Sequence, residues 1–423
     1  MPTSAATRAR VWLCGAVAAA LALSLVGCND DEPSATSAAE SLRAEQQRLL
    51  DIRDRAVRTH NQALFLSTIA RRDQALVRRQ LRWFNAVSAL PWRRFSSTVT
   101  SRAWPDLLMH PRWGKASVPR IRTVQQVREH DVAPVVRVTG LAFARRGGRL
   151  KIVADRTRSG RVFPGSQPAP WDLTAVEVRR RDGVIGLFDQ ATRGAAGEVM
   201  DAVSEGIDEI ASALPYRWDR RVIVYAFGDR TVLDSFDNVP GGKIDHLGAM
   251  TFPVFAAPGS RRVAGVRFTV MPSSIAAGQP FLGRIIRHEL THVAIGRRDD
   301  GAPLWLSEGI AEYLGAREIP RPQRRIAAMA VSRAREDGPV DMPASDSFNG
   351  PEQDWHYALS WMACDYIAHS FGESRLWQLA DELSDHGRGT PDDEQQQVLI
   401  DVLGMDSAQL ADHARQRIRA IYQ

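Results

Sequence analysis

Two histidines and a glutamate at helical spacing are the strongest chemical signal in the sequence. They lie in the run HELTH, in which His288 and His292 are four residues apart and Glu289 follows the first histidine. On a helix, positions i and i+4 share one face, so both imidazoles can bind a single metal ion with Glu289 beside them. A catalytic zinc site usually has three protein ligands and one open position, so a third ligand has to come from elsewhere in the chain.

The residues around this motif predict that it lies on a helix. Apolar residues recur at helical spacing on both sides of the motif, and Pro280 suits a helix start. Gly296 and the charged run 297–301 predict that the helix ends there and that the chain turns.

A second short helix, opened by Pro303, carries two further carboxylates. Glu308 and Glu312 lie one turn apart and therefore on the same face. The separation between His292 and Glu308 suits two helices that are joined by a loop and packed side by side.

The two segments together, HELTH followed by WLSEGIAEY, resemble the gluzincin metallopeptidases, the thermolysin-like and peptidase MA-like group of zinc enzymes. The resemblance implies that His288, His292 and Glu308 bind one zinc ion per chain. It implies that Glu289 is the general base that activates a zinc-bound water. It also implies that Glu312 accepts the remaining ring N–H of a ligand histidine and fixes its orientation.

The motif does not supply a donor for the oxyanion that develops during hydrolysis. In related enzymes a tyrosine or histidine of the downstream helical region has this role, and the run Trp355-His356-Tyr357 offers both. We prefer Tyr357 as the catalytic donor. The alternative is that these residues are a polar helix end and a packed aromatic side chain.

The first residues of the chain predict export. Arg8 and Arg10 precede the apolar stretch 11–25, which is short for a transmembrane span. The run LVGC that ends at Cys28 resembles the bacterial lipoprotein signal, in which that cysteine becomes the lipidated first residue. An uncleaved anchor and an ordinary secretory signal are the alternatives.

This interpretation divides the start of the chain into a signal peptide, residues 1–27, and a flexible, small and polar tether, residues 28–41. The protein would be lipid-anchored at the outer face of the bacterial cytoplasmic membrane. Of the three cysteines, Cys14 would leave with the signal and Cys28 would carry lipid. Cys364 would then be alone, and we interpret it as a buried core residue rather than a nucleophile.

Residues 42–181 predict an α+β domain. Helical patterns over 39–61 and 62–88 are followed by short apolar or β-branched stretches at 132–143, 150–153 and 173–178. Helices followed by a curved antiparallel sheet resemble the cone of NTF2-like domains. The domain is rich in arginine, which suits either attraction to anionic lipid or wall polymers or an ordinary solvated basic surface. Nucleic acid is not an expected partner, because the chain is exported and has no aromatic-interleaved binding motif.

Residues 182–423 predict a zincin-like α+β lobe followed by an all-α lobe. Strands are expected at 184–188, 221–227 and 262–271, with a helix at 194–214. We expect the last of these strands, directly before the metal helix, to be an edge strand. In gluzincins such an edge pairs with the extended substrate backbone. Beyond Glu312 the pattern is almost wholly helical.

The length of 423 residues, of which 44% are hydrophobic, allows two or three domains with ample cores. The favoured hypothesis is a membrane-anchored extracytoplasmic zinc metallopeptidase that acts on peptides or proteins. One alternative is a non-catalytic binding lipoprotein whose metal site is structural or vestigial. Another is a zinc hydrolase that acts on a non-peptide bond of the envelope.

Overall fold

The computed structural model describes residues 35–103, 109–110, 114–236, 239, 244, 247–384 and 392–422. Cys28 and the predicted signal peptide lie outside these residues. The protein has an α+β fold, as predicted from the sequence, and residues Ala44–Gln423 form one compact unit.

The first described elements are helices: α1 (Ala35–Arg58), α2 (Gln62–Leu66) and α3 (Gln74–Ser88). Two predictions were wrong here. Residues 35–38, expected to belong to a flexible tether, are instead helical and form the start of α1. The helix expected over 62–88 is interrupted, because Asp73 caps α3 by accepting hydrogen bonds from the main chain of Ala75 and Leu76.

Among the described residues, seven strands follow: β1 (Trp92–Ala103), β2 (Met109–His110), β3 (Gly114–Lys115), β4 (Pro119–Val127), β5 (Val135–Gly140), β6 (Ala142–Arg146) and β7 (Arg149–Ala154). Strands β1, β4 and β5 form an antiparallel sheet in that order, and β2–β3 and β6–β7 are antiparallel pairs. The order of helices followed by antiparallel strands is the one that the sequence predicts. The likeness to NTF2-like domains stays a prediction.

A five-stranded sheet lies at the centre of the compact unit. Its strands are β8 (Glu177–Arg181), β9 (Val184–Phe188), β10 (Val222–Ala226), β11 (Ala249–Phe255) and β12 (Val263–Val270), in the spatial order β11-β12-β10-β9-β8. The pairs β9–β10 and β10–β12 are parallel, whereas both outer pairs are antiparallel. The short helix α4 (Pro170–Leu173) precedes β8. The long helix α5 (Ala196–Ala213) joins β9 to β10, and the short helix α6 (Arg230–Leu233) follows β10.

The central strands are hydrophobic along their whole length because both faces of the sheet are covered. On one face, Val222 and Val224 of β10 pack in the same core as helix α5 and the helices that follow the sheet. On the other face, Ile223 and Tyr225 pack in a second core with α1–α3. The N-terminal helices and the C-terminal helices therefore share one sheet.

This arrangement affects two expectations. The predicted domain division at 181/182 falls inside the β8–β9 hairpin, within the single compact unit Ala44–Gln423. The strand expected at the sheet edge, 262–271, is instead flanked on both sides, by β10 and β11. The edge strand next to it is β11, which the sequence pattern did not reveal, and β8 forms the opposite edge.

After the sheet, the regular elements of the described residues are all helices: α7 (Pro272–Ala277), α8 (Phe281–Ile295), α9 (Arg297–Gly301), α10 (Leu304–Gly315), α11 (Ala328–Ala334), α12 (Gln353–Ser370), α13 (Glu373–Ser384), α14 (Asp392–Leu403) and α15 (Ser407–Ile421). The prediction of an all-helical C-terminal region is confirmed. Among the helices of the described residues, none combines the length and the hydropathy that a bilayer span requires.

Candidate metal centre

The HELTH motif lies on α8, as predicted, and Glu308 lies on α10, which packs beside it. Helix α8 begins after Pro280 and ends at Gly296, whose positive φ of 61° favours glycine. Gly309, next to Glu308, allows α10 to approach α12 closely, because a Cβ there would lie 2.6 Å from the Ser360 carbonyl oxygen. It would also lie 2.7 Å from the sulfur of Cys364, which is fully buried as expected for a core residue.

Helix packing brings the three predicted ligand atoms into a small triangle. Nε2 of His288 lies 3.2 Å from Nε2 of His292 and 3.2 Å from Oε2 of Glu308. Nε2 of His292 lies 3.5 Å from the same carboxylate oxygen. Ligands about 2.1 Å from a tetrahedral ion lie about 3.4 Å from one another, so these separations fit a bound zinc ion without rearrangement.

The electrostatics of the centre also favour a bound cation. Four carboxylates surround the two imidazoles: Asp299, Glu289, Glu308 and Glu312. Glu308 Oε2 is buried and, within the described part of the chain, has no hydrogen-bond donor of ordinary geometry. A buried carboxylate needs positive charge close to it, which either protonated imidazoles or a metal ion can supply, so the residues present fit a divalent metal.

The pKa values of the three ligands are all shifted so that the charged form of each side chain is favoured. Burial alone would lower the pKa of His288, but Glu308 and Glu312 raise it to about 9. Burial would also lower the pKa of His292, but Asp299 and Glu308 raise it well above its usual value. Burial would raise the pKa of Glu308, and the two imidazoles instead hold it well below its usual value. Each shift stabilises the charged form of its group, the imidazolium of the two histidines and the carboxylate of Glu308.

Glu312 lies where the sequence predicted a carboxylate that orients a ligand histidine. Its Oε1 atom is 3.4 Å from Nδ1 of His288, somewhat longer than an ordinary hydrogen bond. Its other oxygen pairs with Arg284, one turn before His288 on α8. This pairing fixes Glu312 against the helix that carries the histidines.

Asp299 forms a hydrogen bond with the second histidine, a contact that the sequence did not predict. Its Oδ1 atom lies 2.9 Å from Nδ1 of His292 and also accepts a hydrogen bond from Ser307, the residue before Glu308. Asp299 therefore connects one ligand to the helix that carries another. The charged run 297–301 was interpreted as a turn, but it forms the short helix α9, and only the tertiary structure shows which of its charges faces the site.

Glu289 faces the centre and is fixed by the edge strand. Thr251 of β11 donates a hydrogen bond of 2.6 Å from Oγ1 to Oε2 of Glu289. Glu289 is buried, with 4% of its surface exposed, and burial raises the pKa of its carboxyl group. A carboxylate with a raised pKa accepts a proton more readily at neutral pH.

Tyr357 on α12 faces the same centre. Its ring centroid lies 6.4 Å from that of His288 and 5.1 Å from that of Phe348, with which it makes an edge-to-face contact. Burial and the nearby carboxylates of Glu308 and Glu312 raise the pKa of Tyr357 well above its usual value, so its hydroxyl stays protonated. His356, the alternative candidate, is held by a hydrogen bond of 2.8 Å between its Nδ1 and the Phe348 carbonyl oxygen.

These side chains line a cleft of about 1630 Å³. The edge strand β11 forms one wall, together with Val135–Arg137 of β5, and α8, α10 and α12 form the floor and the opposite side. The cleft is large enough for several residues of an extended peptide.

No protein-family model matches the chain, and no match to it was found among curated proteins. The gluzincin resemblance therefore rests on the motif residues, and the ligand and catalytic roles stay predictions that the geometry supports.

We predict that Asp299→Ala weakens zinc binding by about 10- to 100-fold, because His292 loses the carboxylate that orients it. The measurement is competition of the purified protein with a chelating zinc indicator. Asp201→Ala, which removes a carboxylate paired with Arg181 on the surface, is the matched control and should leave affinity unchanged. Equal affinity of the Asp299 variant and the wild type would show that Asp299 does not position the ligand.

Proposed function

We propose that the protein is a zinc-dependent metallopeptidase. The observation that carries this proposal is the ligand triangle of His288, His292 and Glu308 at tetrahedral spacing, with the buried Glu289 carboxylate beside it. A site with a purely structural role has no use for an additional carboxylate of this kind. Glu289 therefore favours catalysis over a structural or vestigial metal site.

Bound in this triangle, zinc would polarise the carbonyl group to be cleaved and lower the pKa of a water molecule. Glu289 is the general base in this proposal: it takes a proton from the attacking water and later delivers it to the leaving amine. The hydrogen bond from Thr251 orients the Glu289 carboxylate for both transfers. Through the same hydrogen bond, Thr251 holds the edge strand next to the Glu289 carboxylate, where the reaction would take place.

Tyr357 is the proposed donor to the developing oxyanion. Its raised pKa keeps the hydroxyl proton available for donation throughout the physiological range. Packing of the ring against Phe348 limits its freedom, so little reorganisation is needed during the reaction.

A peptide is the proposed substrate because one wall of the cleft is a sheet edge. Edge strands present unpaired main-chain groups to which an extended peptide can add as a further strand, largely independently of its side chains. Residues of β11 and the three residues of the metal triangle line the same cleft, which supports this proposal.

We further propose, on the sequence alone, that the enzyme is exported and lipid-anchored through Cys28 to the outer face of the cytoplasmic membrane. Its substrates would then be peptides or proteins of the cell envelope.

We predict that Glu289→Gln lowers peptidase activity by at least about 10²-fold while zinc remains bound, because glutamine keeps the shape of the side chain but accepts no proton. Activity is measured on a peptide library by mass spectrometry, and zinc by elemental analysis. Glu318→Gln, at an exposed position, is the control. Full activity in the Glu289 variant would exclude it as the base. Zinc binding by a wild type without any peptidase activity would favour the binding-lipoprotein alternative.

We predict that Tyr357→Phe lowers kcat by about 10²- to 10³-fold and changes KM little, because the lost hydroxyl acts mainly in the transition state. Steady-state kinetics on a single cleaved peptide provides both constants. Tyr366→Phe is the matched control on the same helix, since Tyr366 stacks on His413 instead. An unchanged kcat for the Tyr357 variant would exclude it as the oxyanion donor.

A further inference from the structure

Two arginines that line the cleft have no acidic partner among the described residues. They are Arg137, on β5, and Arg297, at the start of α9. Neither forms an ion pair with a carboxylate of the described chain, whereas Arg284, another residue of the cleft, pairs with Glu312. The cleft therefore contains two guanidinium charges that an anionic ligand can compensate.

Arg137 uses little of its hydrogen-bonding capacity. Its Nη1 atom donates to the carbonyl oxygen of Pro168 at 3.3 Å, and its Nε atom is buried without an acceptor among the described residues. The charge of Asp172 acts on Arg137, but both oxygens of that carboxylate already accept hydrogen bonds, from Trp83 and from the main chain of Ala169. A guanidinium has five N–H donors and stays charged at neutral pH, so a carboxylate in the cleft would satisfy it.

Arg297 is exposed and follows directly on the end of α8. The next two residues are directed to other partners, since Arg298 pairs with Asp381 and Asp299 contacts His292. The Arg297 guanidinium can therefore turn to a ligand in the cleft that it lines.

The edge strand and the metal helix run in the same direction along the cleft. An added Cβ at Gly248, directly before β11, would lie 3.3 Å from Cδ1 of Ile285 on α8. Further along both elements, Thr251 donates its hydrogen bond to Glu289. The part of the cleft beyond this contact therefore contains both the end of β11 and the end of α8.

Both arginines lie at this end of the cleft. The main-chain N–H of Val136, next to Arg137, donates a hydrogen bond of 2.8 Å to the carbonyl oxygen of Ala256, the residue after β11. Arg297 lies at the end of α8. One guanidinium thus comes from the N-terminal sheet and the other from the metal helix side, and a peptide between them would meet both.

The rise of each element gives the distance of the arginines from the reacting atoms. Arg297 is eight residues beyond Glu289, which is about 12 Å along a helix. Ala256 is five residues beyond Thr251, which is about 17 Å along a strand. An extended peptide covers these distances in about five residues or fewer.

The acidic residues of the cleft do not cancel this charge. Among the described residues that line it, the carboxylates are the four of the metal centre and Asp354. Asp354 lies in the first turn of α12, where it compensates the partial positive charge of a helix N-terminus. The two arginines therefore leave a surplus of positive charge beyond the metal centre.

We infer that Arg137 and Arg297 form an anion subsite, which selects peptides that carry a carboxylate on one side of the scissile bond and within about five residues of it. The carboxylate belongs either to an acidic side chain or to the C-terminus of the peptide, because a guanidinium binds both by charge-assisted hydrogen bonds. The inference rests on the proposed peptidase function and specifies its substrate class.

The first test compares glutamate with glutamine at each position of one cleaved peptide whose termini are acetylated and amidated. We expect kcat/KM of the wild type to be about tenfold higher for glutamate at positions on one side of the scissile bond, the order expected for one charge-assisted hydrogen bond. Higher ionic strength should reduce this preference, because salt screens the charges. A preference of equal size on both sides would overturn the subsite.

A second comparison identifies the source of the carboxylate. The same peptide, cut back one residue at a time, is offered with a free C-terminus and with an amidated one. A preference for the free acid assigns the subsite to a terminal carboxylate, and the glutamate preference assigns it to a side chain. Absence of both would overturn the subsite and leave the peptidase proposal intact, whereas failure to cleave any peptide would remove the peptidase proposal itself.

Variants attribute the preference to the two arginines. Arg137→Gln and Arg297→Gln should each reduce the ratio of kcat/KM between the carboxylate peptide and its neutral counterpart by several-fold, toward one. Arg297 is exposed, so its variant does not depend on repacking a core. Zinc content, measured in parallel, reports whether the metal centre is intact.

Arg325→Gln is the matched control. Arg325 also lines the cleft, but it follows the end of α10 at which Gly315 contacts Arg284, on the other side of the metal centre. The control should keep the preference for the carboxylate. An unchanged ratio in both folded subsite variants, or an equal loss in the control, would refute the role of Arg137 and Arg297.

A binding measurement tests the subsite without turnover. In the zinc-loaded Glu289→Gln variant, the carboxylate peptide should bind about tenfold more tightly than its neutral counterpart. Adding Arg297→Glu should reverse the order, so that a peptide with lysine at the same position binds more tightly than one with glutamate. Equal affinity for charged and neutral peptides in the Glu289→Gln variant would contradict the inference.

Discussion

The burial of an excess of negative charge is the constraint on which the functional centre depends. Glu289, Glu308, Glu312 and Asp299 converge on two imidazoles at the cleft and are largely buried, and Arg284 pairs with Glu312. Without a further cation, this concentration of carboxylates would be costly to fold. The pKa values of His288 and His292 are raised, so protonated imidazoles offset part of this negative charge. A divalent ion in the ligand triangle would offset more of it.

The surrounding fold keeps this charged centre in place. Helix α8 lies against the central sheet, α10 packs between α8 and α12 with Gly309 at the closest approach, and Asp299 connects His292 to α10. The sheet is covered by helices on both faces, so the N-terminal helices stabilise the same strands that support the metal helix. The positions of the ligands therefore depend on most of the chain.

The sequence predicted the parts of the site that lie close together in the chain. The spacing of His288 and His292, and of Glu308 and Glu312, is a helical pattern that can be read directly, and the structure brings these residues together. Asp299 and Thr251 could not be predicted, because their roles arise from tertiary contacts that no local pattern encodes. The edge strand was assigned wrongly for a similar reason: β12 has the clearer alternating pattern, and Pro253 weakens that of β11.

The most direct test of the account is the zinc content of the purified wild-type chain, measured beside Glu308→Ala. We expect about one zinc ion per wild-type chain and a strongly weakened affinity in the variant, because the triangle loses its carboxylate. Absence of zinc from the wild type after incubation with the metal, or equal affinity in both proteins, would contradict the assignment of the metal centre.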